Sequence, residues 1–141
     1  MHVEFVCIAN YCRSPVAEAL LKEICTDIDV TSSGLNPYHL AKMDDRSIDY
    51  LKANGIDSVI HLPKKFKPKS RNTDDLIICF DLTALHLVWK QHPSQRDFLR
   101  IYNIHDNSIR INDPFKMKSE KDYYVEMDKV KKIVDIWSNQ I

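Results

Sequence analysis

A strand candidate that runs directly into a helix start stands near the N-terminus, and it limits the possible folds more than any other segment. Residues 3–8 are apolar and rich in β-forming side chains, which predicts a short buried strand. Shortly after it, Ser14 and Pro15 predict a helix start, with Ser14 as the N-cap and Pro15 in the first turn. A buried strand joined to a helix by a short loop is typical of α/β folds with a parallel sheet.

The rest of the chain repeats this alternation of strand and helix candidates. Further strands are predicted at 30–33, 58–61 and 75–80, with 98–103 as a candidate fifth strand. Further helices are predicted to begin at Asp44 or Asp45, at Asp81 and at Ser119. Because neither a linker nor a repeat divides the sequence, residues 1–141 are predicted to form a single domain. The pattern predicts an α/β three-layer sandwich, in which helices flank both faces of a central parallel sheet of about four strands.

Composition argues against several classes of protein. The 141 residues include 20 Lys and Arg and 20 Asp and Glu, and a formal net charge of zero argues against nucleic acid or an anionic membrane as a partner. No apolar run approaches the ~20 residues that span a bilayer, and the N-terminus lacks the features of a signal peptide. The four cysteines match no zinc spacing. We therefore expect a cytoplasmic monomer without metal or cofactor, with export by a leaderless route left open.

The candidate chemistry is concentrated in the loop between the first strand and the first helix. Cys7 and Arg13 enclose five residues there, enough for the loop to wrap around an oxyanion. N–H groups at a helix N-terminus and along such a loop bind anions, and together with Arg13 they favour the nucleophilic thiolate form of Cys7. The guanidinium of Arg13 suits two oxygens of a phosphate as a bidentate fork. An Arg at a helix N-terminus opposes the helix dipole, and a bound anion would resolve that conflict.

The segment VCIANYCRSPVAEAL resembles the signature of the low-molecular-weight protein tyrosine phosphatases, VCxGNxCRSPxAE. The resemblance continues along the chain, since Ser32-Ser33-Gly34 resembles the family's Ser-Ala-Gly segment and Asp113-Pro114 resembles the Asp-Pro that carries its general acid. Further matches in the family's order are Asp45-Arg46, Gly55-Ile56-Asp57, His61 and the strand DLIICFD. The resemblance thus extends over nearly the whole chain.

This resemblance implies a metal-free, two-step hydrolysis of phosphotyrosine in proteins or peptides. Cys7 would attack phosphorus and form a phosphocysteine, with Arg13 as the phosphate clamp. Asp113 would first protonate the departing phenolate and then assist the water that releases phosphate. The resemblance also implies redox sensitivity, in which an oxidised Cys7 forms a reversible disulfide with Cys12.

The same resemblance implies supporting roles for other residues. Tyr38 and Phe115 fall where the family places pocket aromatics, and they would hold a phenyl ring between two faces in a slot too deep for phosphoserine. The residues expected to bind phosphate, to line the site or to support the loop are Ile8, Ala9, Asn10, Tyr11, Cys12, Ser14, Ser32 and His61.

Several positions depart from the family's pattern. Ala9 replaces a frequent glycine, and at a positive φ it would strain the loop by roughly 1–2 kcal/mol. Tyr11 replaces Ile or Thr, which would narrow the pocket and speaks against the family branch that acts on phosphoarginine. Lys116 makes the pocket rim more basic and favours acidic phosphopeptides. A basic run is either a docking patch or a solvated loop, and it consists of Lys64, Lys65, Lys67, Lys69 and Arg71.

Two other functions stay open at the level of sequence. A catalytically weak phosphotyrosine-binding module would use the same loop, and Ala9, Tyr11 and Lys116 leave room for it. An arsenate reductase of this fold would need two further cysteines close together after the fourth strand to relay a disulfide. This chain has Cys79 on that strand and no second cysteine near it in sequence, which argues against the reductase.

Overall fold

A computed structural model describes residues 1–38, 42–57 and 59–141 of the chain. The strands are β1 His2–Cys7, β2 Asp29–Gly34, β3 Leu76–Cys79 and β4 Leu99–Ile101. They form a parallel sheet in the order β2-β1-β3-β4. The α-helices are α1 Arg13–Ile24, α2 Asp45–Ala53, α3 Leu82–Gln91 and α4 Glu120–Ser138, with 3-10 helices at Pro93–Phe98 and Pro114–Lys116. The predicted α/β fold with a central parallel sheet of about four strands is confirmed.

Strand β1 buries both of its faces, which explains its nearly continuous apolar sequence. Val3 and Phe5 belong to the core beneath α1, α2 and α4, whereas Val6 belongs to the core beneath α3. Successive side chains of a strand point to opposite faces of the sheet, so an apolar strand needs helices on both sides. The three predicted layers are therefore present.

The sheet brings the ends of its two central strands together. Cys7, the last residue of β1, pairs with Gly34 at the end of β2, and Val6 pairs with Cys79 at the end of β3. In a parallel sheet the carboxyl ends of all strands lie at one edge, which is where open α/β folds place their ligands. The β1–α1 loop, the segment after β2 and the start of α3 therefore meet at that edge.

Three predicted helix starts are capped by the side chains that the sequence indicated. Asp44, Asp81 and Ser119 each accept a hydrogen bond from an N–H in the first turn of α2, α3 and α4 respectively. After α2, Gly55 has a φ of +80°, a left-handed conformation that glycine adopts without steric cost. None of the helices in the described ranges is long and apolar enough to cross a membrane.

Two strand predictions are wrong in whole or in part. Residues 59–61 form no strand, because His61 turns inward to bond the β1–α1 loop, and Ser58 lies outside the described residues. The strand predicted at 98–103 is only Leu99–Ile101, because Pro93 starts a 3-10 helix that extends to Phe98.

The predicted cap of α1 is also wrong. The helix begins at Arg13, its N-cap is Cys12, and the cap makes no side-chain hydrogen bond. Ser14 lies inside the first turn, where its hydroxyl is free of capping and bonds elsewhere.

Arg71 is not exposed with the other residues of the basic run that the sequence suggested as a docking patch. Its side chain is buried and pairs with Glu4 of β1 at 2.5 Å, while its Nε donates to Gln95 at 2.6 Å. A buried cation needs such a partner because an unpaired charge is costly in the interior. The exposed part of the run is limited to Lys64, Lys65, Lys67 and Lys69.

Candidate active site

The β1–α1 loop, residues 8–12, is held from outside by the backbone of the segment after β2. The carbonyl oxygens of Cys7, Ile8, Ala9 and Tyr11 accept bonds of 2.8–3.3 Å from the N–H groups of residues 35, 36, 38 and 44. A trans peptide unit points its C=O and N–H in opposite directions. The N–H groups of residues 8, 9, 10 and 12 therefore point away from that segment, toward the concave side of the loop. Such a nest of amides at a helix N-terminus suits an anion.

The Cys7 sulfur lies at the base of this loop among hydrogen-bond donors. The N–H of Asn10 donates to Cys7 Sγ at 3.2 Å, and the Ser14 hydroxyl oxygen lies 2.9 Å from the same sulfur. Ser14 is fully buried, and its hydroxyl oxygen accepts from Asn10 Nδ2 at 2.9 Å, which leaves the hydroxyl proton for the sulfur. The sulfur thus contacts hydrogen-bonding groups of both the loop and the first turn of α1.

Asn10 fixes the shape of the loop with four side-chain hydrogen bonds. It adopts a φ of +50°, and its Nδ2 donates to the hydroxyls of Ser14 and Ser32 at 2.9 and 3.1 Å. Its Oδ1 lies 2.9 Å from Nε2 of His61 and accepts from the N–H of Lys64 at 3.0 Å. Because Nδ2 is the donor of this amide, Nε2 of His61 must carry the proton in this network. The positive φ falls on Asn10, so the strain expected at Ala9 does not arise.

Glu18 of α1 lies behind this network. The hydroxyl of Ser32 donates to Glu18 at 2.7 Å, and Nδ1 of His61 lies 3.8 Å from the same carboxylate oxygen. Burial lowers the pKa of His61 below its ordinary value, although the charge of Glu18 opposes this. His61 is therefore a neutral imidazole at pH 7, with its proton on Nε2.

Gly34 allows the end of β2 to lie against the loop. A Cβ at this position would be 2.7 Å from the carbonyl oxygen of Ile8 and 2.8 Å from the nitrogen of Asn10. Both are backbone atoms of the loop, so they could not move aside without changing its shape. This site therefore requires a glycine at position 34, where the end of β2 approaches the loop backbone closely, and not within the loop itself.

Arg13 is held at the opening of the loop by the end of β3. Its Nη1 donates to the carbonyl oxygen of Phe80 at 3.3 Å, and its Nη2 lies 3.2 Å from Oδ2 of Asp81. The other oxygen of Asp81 accepts from the N–H of Ala84 at 2.6 Å and caps α3. The contacts of Arg13 with Phe80 and Asp81 use two of the five N–H donors of its guanidinium.

A cleft of about 450 Å³ opens above the loop. It brings together the three predicted catalytic residues, Cys7, Arg13 and Asp113. The predicted site residues Ile8, Ala9, Tyr11, Cys12, Tyr38 and Phe115 also line it. The predicted support residues Asn10, Ser14, Ser32 and His61 are instead buried and bond to the loop or to one another.

Asp113 approaches the cleft from the segment before α4. It is exposed, and its Oδ1 accepts a hydrogen bond from the N–H of Phe115 at 3.1 Å, which caps the 3-10 helix Pro114–Lys116. Phe115 is also half exposed, so the acid and the aromatic ring reach the cleft on one short loop.

The aromatic side of the cleft differs from the predicted pair of parallel faces. Tyr38 and Phe115 contact each other with ring centroids 5.8 Å apart at 62°, and Tyr11 contacts both, at 4.6 and 6.0 Å. A phenyl ring stacked between two parallel faces would need roughly 7 Å between them. The three rings therefore form one apolar wall, and Tyr11 is part of it.

Cys12 lies at the end of the loop nearest α2. Its sulfur donates to Oδ2 of Asp44 at 3.6 Å. Burial raises the pKa of the Cys12 thiol well above its ordinary value, and the charge of Asp44 adds to this. Burial also acts to raise the pKa of Asp44, but hydrogen bonds from Arg46 outweigh it and keep that pKa below its ordinary value. Cys12 is thus a neutral thiol beside a carboxylate.

Sequence reasoning gave no site role to three residues that the structure places here. Asp81 was identified only as a helix cap, although it follows the strand beside β1 and so had to lie at the same edge of the sheet. Asp44 and Arg46 connect the β1–α1 loop to the loop of Asp113. Nothing in the local sequence signals that connection, because it joins residues about 70 positions apart.

No group of three or more His, Cys, Asp or Glu in residues 1–38, 42–57 and 59–141 is arranged to hold a metal ion.

A family model described as low molecular weight phosphotyrosine protein phosphatase matches residues 2–141. The chain belongs to this family. The family model and the relatives that match carry the name of protein-tyrosine-phosphatases, so the chain is a phosphoric monoester hydrolase of that type.

Relatives of known name support the same assignment. The probable low molecular weight protein-tyrosine-phosphatase EpsP of Ralstonia solanacearum is 26% identical over 137 residues, which are 96% of this chain and 92% of the relative. The low molecular weight phosphotyrosine protein phosphatase of Sus scrofa is 33% identical over 90 residues, which are 59% of this chain and 56% of the relative.

Solved structures show how closely the fold is shared. The tyrosine phosphatase AmsI of Erwinia amylovora has a TM-score of 0.85 at 25% identity, covering 99% of this chain and 92% of that one. The YwlE arginine phosphatase of Geobacillus stearothermophilus has a TM-score of 0.86 at 22% identity, covering 99% of this chain and 91% of that one. The second likeness concerns the fold alone.

Proposed function

We propose that this protein hydrolyses phosphotyrosine monoesters through a phosphocysteine intermediate on Cys7. The observation that carries the proposal is the position of the Cys7 sulfur, which lies at the base of a cleft 3.2 Å from a loop N–H and 2.9 Å from the Ser14 hydroxyl. Arg13 and Asp113 line the same cleft. Together they supply a nucleophile, a cation for the phosphate and a carboxyl group for proton transfer.

In the first step, the phosphate binds the inward N–H groups of the β1–α1 loop and the guanidinium of Arg13. The Cys7 sulfur attacks phosphorus in line, so that an S–P bond forms while the bond from phosphorus to the phenolic oxygen breaks. Protonated Asp113 gives its proton to that oxygen, which then leaves as tyrosine. Proton transfer of this kind is typically worth ~10²–10⁴-fold in rate.

In the second step, the Asp113 carboxylate takes a proton from water as the water oxygen attacks phosphorus. A P–O bond forms, the S–P bond breaks, and inorganic phosphate is released. The Ser14 hydroxyl stabilises the departing thiolate, since it lies 2.9 Å from the sulfur. Asp113 is protonated again at the end of the cycle.

The substrate is selected by the aromatic wall and by the charge of the rim. A phenyl ring carried by the phosphate would pack against Tyr11, Tyr38 and Phe115, whereas phosphoserine has no ring to place there. Lys116 is exposed beside Phe115 and favours acidic phosphopeptides.

A redox response of the same site follows from the two cysteines of the loop. Peroxide would convert the Cys7 thiolate to a sulfenic acid. Cys12 would then attack that sulfur, so that an S–S bond forms and water leaves. Because Cys12 is a buried neutral thiol, its proton must first go to a base, and Asp44 at 3.6 Å is placed to accept it. The disulfide would protect Cys7 from further oxidation.

The two alternatives are less well supported than hydrolysis. An arsenate reductase needs a cysteine relay, but Cys79 packs in the core beneath α3, on the opposite face of the sheet from Cys7. A binding module would not need Asp113 at the cleft, and a parent protein that binds vanadate without turning over any aryl phosphate would support it.

The test is hydrolysis of p-nitrophenyl phosphate and phenyl phosphate by the parent protein, Cys7→Ser and Asp113→Asn. We expect the Cys7→Ser variant to bind vanadate but to lack turnover. Asp113→Asn should slow phenyl phosphate more than p-nitrophenyl phosphate, since the poorer leaving group needs a proton more. Turnover by Cys7→Ser within tenfold of the parent would contradict the assignment of the nucleophile. Equal slowing of both substrates would mean that Asp113 is structural.

A further inference from the structure

Arg46 connects the two loops that enclose the cleft, although it does not itself line it. We propose that Arg46 is a positioning residue, which sets the 113–117 loop and its Asp113 against the β1–α1 loop. This inference rests on the proposed role of Asp113 as general acid. Arg46 would affect the reaction only by holding Asp113 in place, because it does not line the cleft.

One side of the guanidinium is fixed to the β1–α1 loop through Asp44. Its Nε and Nη2 form a fork with the two carboxylate oxygens of Asp44, at 3.0 and 2.7 Å. The backbone N–H of Asp44 donates to the carbonyl oxygen of Tyr11 at 3.1 Å, and its Oδ2 accepts from the sulfur of Cys12. The carboxylate is thus part of the frame that holds the loop.

The other side of the guanidinium is fixed to the 113–117 loop. Its Nη1 donates to the carbonyl oxygen of Met117 at 2.6 Å, and its Nη2 is 3.5 Å from the carbonyl oxygen of Phe115. Only the first of these distances is that of a strong hydrogen bond. A planar group with donors on both edges can bridge two loops in this way, whereas a lysine ammonium cannot reproduce the fork.

The plane of this bridge is set by α4. The guanidinium of Arg46 lies over the ring of Tyr123, with 4.2 Å between its carbon and the ring centroid. The ring is fully buried, and its hydroxyl is hydrogen-bonded to that of Ser47 of α2. The guanidinium therefore rests on a rigid surface between α2 and α4.

The bridge determines where the acid lies, because the loop is short. Asp113 caps the single-turn helix Pro114–Lys116, and Met117 is the residue that follows this helix. Holding the Met117 carbonyl fixes one end of this turn, and hydrogen bonds within the turn connect it to the other end: Met117 N–H donates to the Pro114 carbonyl at 3.0 Å and Lys116 N–H to the Asp113 carbonyl at 3.3 Å. A displacement of about 1 Å at a reacting group can cost up to ~10²-fold in rate.

The experiment compares Arg46→Met and Arg46→Lys with a matched arginine elsewhere. Arg96 is the control, because it also lies over an aromatic ring, that of Trp89 at 3.8 Å, and donates to a carbonyl oxygen at 2.6 Å, outside the cleft. The measured quantity is kcat/KM for phenyl phosphate and for p-nitrophenyl phosphate. For Arg46→Met we expect a loss of about tenfold or more on phenyl phosphate and less than threefold on p-nitrophenyl phosphate. Arg96→Met should match the parent on both.

Arg46→Lys keeps the test valid if Arg46→Met folds poorly. Loss of the cation leaves Asp44 buried without its partner, which is destabilising. Lysine retains the charge but not the fork, so it should show the same selective loss at smaller size. Folding of each variant is checked by circular dichroism below its melting temperature.

Asp113→Asn and the double variant with Arg46→Met separate the two ways in which the inference can fail. If Arg46 acts through Asp113, the Arg46 substitution should add no leaving-group selectivity to Asp113→Asn. If Asp113→Asn slows phenyl phosphate and p-nitrophenyl phosphate equally, Asp113 is not the general acid, and the inference about Arg46 is wrong as well. If Asp113→Asn is selective but Arg46→Met and Arg46→Lys slow both substrates equally, positioning by Arg46 alone is overturned.

Discussion

At the scale of single residues, a substitution of Cys12 can show whether this side chain forms a disulfide with Cys7 or only packs in the loop. We expect peroxide to inactivate the parent protein and a thiol to restore most of its activity, because the disulfide shields Cys7. Cys12→Ser should recover much less, since the sulfenic acid of Cys7 then oxidises further. Cys25→Ser is the control, because Cys25 lies at the end of α1, away from the loop. Recovery is measured as p-nitrophenyl phosphatase activity.

Equal recovery by the parent and Cys12→Ser would leave Cys12 as a packing residue. Faster protection at higher pH is also expected, because the pKa of Cys12 is raised and the thiol must lose its proton to attack.

Gly34 offers a second prediction at this scale. Gly34→Ala places a Cβ 2.7 Å from the Ile8 carbonyl oxygen, so the β1–α1 loop must shift. We expect a loss of at least tenfold in kcat/KM and roughly 1–3 kcal/mol in the free energy of unfolding. Gly55→Ala is the control: its positive φ costs about 1 kcal/mol, but the added Cβ meets nothing within 4 Å. Full activity of Gly34→Ala would mean that the loop tolerates movement.

The same residues show what sequence reasoning reached and what it missed. The pattern from Cys7 to Pro15 sufficed to place a cysteine and an arginine on either side of a loop between a strand and a helix, because these elements are adjacent in sequence. It could not tell that the positive φ falls on Asn10 and not on Ala9, since φ at each loop position depends on which carbonyls bond the segment after β2. It missed Arg46, because the contact with Met117 is made only by the folded chain.

At the scale of elements, the aromatic wall joins three separate segments of the chain. Tyr11 comes from the β1–α1 loop, Tyr38 from the segment after β2, and Phe115 from the 3-10 helix before α4. Because each ring supports the other two, removing one should weaken the whole wall. The sequence identified two of these rings as facing walls, but their mutual contacts depend on how the three segments pack.

We therefore expect Tyr11→Ala to reduce the preference for phosphotyrosine over phosphoserine peptides by about tenfold, as much as Tyr38→Ala or Phe115→Ala, on the basis of ~0.5–1.5 kcal/mol per aromatic contact. The measurement is the ratio of kcat/KM for matched peptides. Trp89→Ala is the control, since Trp89 is an exposed aromatic on α3 outside the cleft. An unchanged ratio in Tyr11→Ala would show that Tyr38 and Phe115 act without it.

At the scale of the whole molecule, His61 links stability to pH. Burial lowers its pKa from 6.5, so as pH falls below about 6.5 the unfolded chain binds the proton first. The free energy of unfolding should therefore fall over that range and be independent of this group above it. His61→Gln should reduce the slope, because a glutamine amide can still donate to Asn10 but does not titrate. His2, whose pKa burial also lowers, accounts for a remaining slope.

Urea unfolding between pH 5 and pH 7.5 measures this effect. His86→Gln, which replaces an exposed histidine on α3, should keep the slope of the parent. An identical slope in His61→Gln and the parent would contradict the neutral, donating state of His61.

The central position of β1 has a consequence for how the chain acquires its activity during synthesis. β1 precedes every other element in sequence, yet its partner β3 begins at Leu76, and α4, which packs on α1 together with α2, comes last. Contacts of such long sequence separation form late and make folding slow. Cys7 is therefore synthesised well before β3 and α4, which complete the structure around it. Until α4 has been synthesised, the sheet lacks one of the helices that cover it, and the structure around Cys7 is not yet complete.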